Sequence, residues 1–66
     1  MRLLINGEER GFADVRDVAA LVAALGLDAR KVAVERNLEI VPRSTYDVAP
    51  LADGDRIEIV HFVGGG

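Results

Sequence analysis

At 66 residues, with half of them apolar and a formal net charge of −3, the chain has the make-up of one folded domain, since so short a chain buries only about 60% of its unfolded surface. The absence of cysteine excludes disulfide staples and thiolate metal sites and suits a reducing, cytoplasmic setting. The acidic balance argues against nucleic acid as a partner, because phosphate binding needs clustered Lys and Arg. No segment is long enough to span a membrane, and Asn6-Gly7-Glu8-Glu9 ends the opening apolar run too early for a signal peptide.

In chain order, Leu3-Leu4-Ile5 reads as a short strand that turns at Asn6-Gly7, a pair that tolerates positive φ at both positions and so favours a tight hairpin. The return strand is expected from Glu8 to Phe12. Asp14 is then the expected cap of a helix in which Val15, Val18, Ala19, Val22 and Leu25 recur at helical spacing, with Gly26 as its left-handed stop. Lys31 to Glu35 alternates and is rich in β-branched residues; Asn37 breaks it, and Glu39-Ile40-Val41 forms another strand that ends at Pro42. Ser44 to Leu51 has no clear period and reads as a capped turn or short helical segment. Asp53-Gly54-Asp55 is a strong turn signal, and the last strand runs from Arg56 to about Val63.

The order strand, strand, helix, strand, strand, strand predicts an α+β roll: a mixed sheet of about five strands with one main helix across a single face. The last strand, the most β-prone run in the chain, is expected in the middle of the sheet. Alternation then puts Ile57 and Ile59 on one face and Glu58, Val60 and Phe62 on the other. With one helix to cover two faces, Val60 and Phe62 are candidate docking residues on the open side; the competing expectation is a β-bulge near His61 that changes the facing, or Phe62 folded over the edge of the core.

Gly64-Gly65-Gly66 ends the sequence without a side chain, so the division expected is a domain over residues 1–63 and a flexible tail over residues 64–66. A glycine carboxylate flanked by glycines can enter a narrow slot in another protein, and its acyl carbon is open to attack. Such tails suit carriers whose carboxylate is adenylated and then attacked by a sulfur or nitrogen nucleophile. The competing expectation is a frayed terminus. Other chemistry is sparse: His61 is the only histidine and is expected to be structural or part of a contact surface, Ser44 has no base nearby in sequence, and no metal-ligand set is evident. Asp53 and Asp55 flank a glycine as turn residues do. There is no Gly-x-x-x-x-Gly-Lys loop to hold ATP, so any nucleotide belongs to a partner. Without a thiol, sulfur could ride here only as a thiocarboxylate on Gly66.

The segment Val34-Glu35-Arg36-Asn37-Leu38-Glu39-Ile40-Val41-Pro42-Arg43, with Tyr46 shortly after, then Asp53-Gly54-Asp55, then Ile59-Val60-His61-Phe62-Val63-Gly64-Gly65-Gly66, resembles the ThiS family of sulfur carriers in thiamine biosynthesis. The diglycine end alone is shared by all ubiquitin-like proteins; the segment from Asn37 to Arg43 is more specific. The resemblance implies a β-grasp fold and a carrier that is not itself an enzyme. It implies a Gly66 carboxylate adenylated by a ThiF-type adenylyltransferase using ATP and Mg, with Gly65 and Gly64 in the partner's slot. A cysteine-derived persulfide donor would then convert the adenylate to a thiocarboxylate for a ThiG-type thiazole synthase. The alternatives are a sister carrier for molybdopterin or tRNA thiolation, and a ubiquitin-like protein modifier.

Overall fold

The computed structural model describes residues 1–62. Strand β1 (Arg2–Ile5) turns through Asn6 and Gly7, whose φ angles of 48° and 81° make the expected tight hairpin, into β2 (Glu8–Gly11). Helix α1 (Val18–Ala24) follows, then β3 (Val32–Arg36), β4 (Glu39–Val41) and β5 (Arg56–His61). Short 3-10 turns at Ala29–Lys31 and Arg43–Thr45 fill the connections. The first was not expected; Asp28 caps it, and bonds from Arg30 hold the Asp28 carboxyl down at about 2. The second begins one residue before the stretch from Ser44 to Leu51 that was expected to hold a capped turn or short helical segment.

The five strands form one mixed sheet in the order β2-β1-β5-β3-β4, with β5 parallel to β1 and antiparallel to β3. The α+β roll and the central place of the last strand are as expected. β2 stops at Gly11, one residue short of Phe12, although the Phe12 N–H still donates to Met1 O. Within the described residues β5 ends at His61.

The helix differs from expectation at its start. Asp17, not Asp14, is the cap: its Oδ1 accepts from the Ala20 N–H at 2.8 Å. Val15 stands three residues before Val18 and so mimics helical spacing, but it is a buried core residue in the non-helical segment leading in. The far end is a Schellman motif, in which the Gly26 N–H bonds Ala23 O, the Leu27 N–H bonds Val22 O, and Gly26 takes φ 73°. Seven residues make a helix too short to stand alone. It forms because Val18, Leu21 and Val22 are buried against the sheet residues Leu3, Ile5, Val32, Val34 and Ile57, each worth about 1.5–3 kcal/mol of burial.

Candidate functional site

The uncovered sheet face is built by strand alternation. Ile57 is fully buried beneath the helix and Ile59 packs on the core, so Glu58 and Val60 face the other way. Val60 is 61% exposed and Phe62, just beyond the strand, is 51% exposed. Register sets Ala33 opposite Val60, and Glu35 opposite both Glu58 and Ile40, an exposed apolar residue that the sequence reading did not single out as a contact. Its signal was the same alternation, since Val41 beside it is buried. Gly64, Gly65 and Gly66 lie outside the described residues.

Two asparagines fasten β5 from either side. Asn6, in the β1–β2 turn, uses its amide as a surrogate peptide: Nδ2 donates to Ile59 O at 3.1 Å and Oδ1 accepts from the Ile59 N–H at 2.7 Å. Asn37, in the β3–β4 turn, accepts from the Arg56 N–H at 3.0 Å and donates its own backbone N–H to Arg56 O at 2.7 Å. Its Nδ2 also donates to Asp55, whose carboxylate accepts from Arg36 Nε at 2.8 Å and from the Ala52 N–H at 2.8 Å. Burial would push the Asp55 carboxyl up, but the bonds from Ala52, Asn37 and Arg36, together with the Arg36 charge, outweigh it and hold the group below its ordinary 3.8. The Asp-Gly-Asp turn is thus more than self-bonding. Asp55 locks two turns together, and Asp53 Oδ1 accepts from the Arg2 N–H.

At the far end of β5, the Phe62 N–H donates to Lys31 O at 2.9 Å, and the Arg43 guanidinium carbon lies 5.8 Å from the Phe62 ring centroid. Tyr46 is buried and donates its hydroxyl to Val32 O. His61 is exposed and borders an open depression of about 280 Å³ with Arg10, Leu25 and Leu27. Among the described residues no three His, Asp or Glu side chains come together as a metal set, and no helix is long and apolar enough to cross a membrane.

A one-helix roll whose central strand leads in sequence to a run of glycines is a ubiquitin-like β-grasp domain. The ThiS family model matches residues 3–66, and the chain belongs to that family. It is 43% identical over 65 residues to the sulfur carrier protein ThiS of Bacillus subtilis, covering 97% of this chain and 98% of that one. A crystal structure of the thiamine biosynthesis protein ThiS from Geobacter metallireducens superposes with a TM-score of 0.84 at 35% identity, covering 100% of both chains. The chain is also 61% identical over 66 residues to a thiazole synthase of Paramagnetospirillum magneticum, all of this chain against 20% of that protein. It thus spans about one fifth of the length of the thiazole synthases it matches.

Proposed function

We propose that this chain is a sulfur carrier of thiamine biosynthesis, acting in the cytoplasm as a co-substrate of partner enzymes and not as an enzyme. In this reading a carboxylate oxygen of Gly66 attacks the α-phosphate of ATP, held with Mg by a ThiF-type adenylyltransferase, and pyrophosphate leaves. A sulfur nucleophile from a cysteine-derived persulfide then attacks the acyl carbon and AMP leaves; a thiol reduces the remaining S–S bond, and a thiocarboxylate results. A ThiG-type thiazole synthase takes the sulfur. Residues 1–63 are the carrier body, residues 64–66 the reactive tail with Gly65 and Gly64 in the partner's slot, and Val60 and Phe62 the docking contacts.

The observation that carries this reading is the ThiS family match over residues 3–66, which takes in both the fold and the glycine end. Three others support it. The chain has no thiol to carry sulfur in any other form. Val60 stands exposed on the uncovered face, and Phe62 is half-exposed just beyond the end of β5. The matching of this chain to part of two thiazole synthases favours a ThiG-type acceptor. The test is ATP–pyrophosphate exchange with a ThiF-type enzyme: the wild-type chain supports exchange and a chain lacking Gly66 does not, while both keep the same thermal stability. Undiminished exchange without Gly66 contradicts the assignment.

A further inference from the structure

Arg43 and Tyr46, which close the family-like segment, converge on one carbonyl. Val32 O accepts from Arg43 Nη2 at 3.1 Å and from the Tyr46 hydroxyl at 3.2 Å. Arg43 Nε donates in addition to Ala29 O at 2.9 Å. The plane of the guanidinium is therefore set by two carbonyls of residues 29–32, and its central carbon lies over the Phe62 ring, 5.8 Å from the ring centroid. Phe62 is tied to the same segment, since its N–H donates to Lys31 O, between the two carbonyls that Arg43 grips.

We infer that Arg43 is a positioning residue that holds the Phe62 ring in its docking orientation for the activating partner, an assignment that rests on the function proposed above. The backbone bond to Lys31 fixes where Phe62 begins but leaves its side-chain torsions free. An exposed aromatic that is free to rotate loses orientational entropy when a partner captures it, and a ring held beforehand does not. Only a guanidinium suits the task. Its planar fork donates two directed bonds while its face remains available to an aromatic ring, whereas a lysine ammonium is a point charge on a flexible stem and cannot do both. The sequence carries no short-range sign of this, because Arg43 reaches carbonyls 11 and 14 residues before it and a ring 19 residues after it.

The test measures KM and kcat for activation of the full chain by a ThiF-type enzyme, together with urea midpoints, for wild type, Arg43→Lys, Phe62→Leu and the double variant. Arg43→Lys is expected to raise KM for the carrier about five-fold while kcat stays within about two-fold, the scale of a lost cation–π contact. Phe62→Leu leaves both Arg43 hydrogen bonds in place and raises KM without moving the urea midpoint. The double variant is no worse than Phe62→Leu alone, because Arg43 acts through the ring. An unchanged KM in Phe62→Leu overturns the assignment even if Arg43→Lys fails to fold, and so do effects that multiply in the double variant. A wild-type chain that is not activated at all overturns the functional reading and this assignment with it; an active wild type with unaltered variants overturns this assignment alone.

Discussion

The side-chain amide of Asn6 both donates to and accepts from the backbone of Ile59, 53 residues later in the chain, and so extends the β1–β5 ladder by a residue that is not in a strand. The pair ties the first hairpin to the central strand at the point where parallel pairing ends. Asn6→Gly keeps the positive φ and deletes both bonds. It is expected to cost about 1–2 kcal/mol in urea denaturation; an unchanged midpoint would show that water replaces the amide without loss.

Glu35 and Glu58 stand directly opposite each other on the uncovered face, and neither forms an ion pair among the described residues. Like charges in that position repel. Glu58→Gln is expected to stabilise the fold by about 0.2–1 kcal/mol at low salt, and the gain should shrink as added salt screens the pair. A stability loss that is indifferent to salt would mean that Glu58 has a favourable partner.

Asp55 makes acid stability legible. Its carboxyl is depressed in the folded chain, so its contribution is fully present above the unfolded value near 3.8 and is lost as pH falls through the lower folded value. Asp55→Asn removes the charge that Arg36 pairs with and sets an NH2 among three donors. It is expected to cost about 1.5–3 kcal/mol at neutral pH and to flatten the stability profile below pH 3.8. A variant with an unaltered acid limb would place the titration elsewhere.

Leu38 sits at φ 71° in the β3–β4 turn, beside Asn37 at 52°, and is 72% exposed. A branched side chain is strained in the left-handed region and here has no burial to offset it. Leu38→Gly is expected to raise stability by about 0.5–1 kcal/mol, measured by urea denaturation. A loss of stability would show that the exposed side chain packs usefully on the turn.

Several features that depend on neighbours in sequence were legible, although the Asp28-capped turn was not. Asn6-Gly7, the alternation of β3 and β5, and Gly26 after the helix all stand where pattern placed them. The helix start was misplaced because Asp14-Val15 repeats, three residues early, the Asp17-Val18 pair that performs the capping. The exposure of Val60 and Phe62 was legible from one helix and the period of two. What pattern could not show were side chains spending their bonds on distant backbone: Asn6 on Ile59, Asn37 on Arg56, Arg43 on Val32. Each residue looks like a turn or surface residue until topology brings its partner alongside.

The central claim, a thiocarboxylate formed at Gly66, is tested most directly by the intact mass of the protein after incubation with a ThiF-type enzyme, ATP, Mg and a persulfide sulfur source. Exchange of oxygen for sulfur adds about 16 Da, located by fragmentation at the last residue. An unshifted C-terminal fragment, or Gly66 joined to lysine amines in its place, would contradict the account.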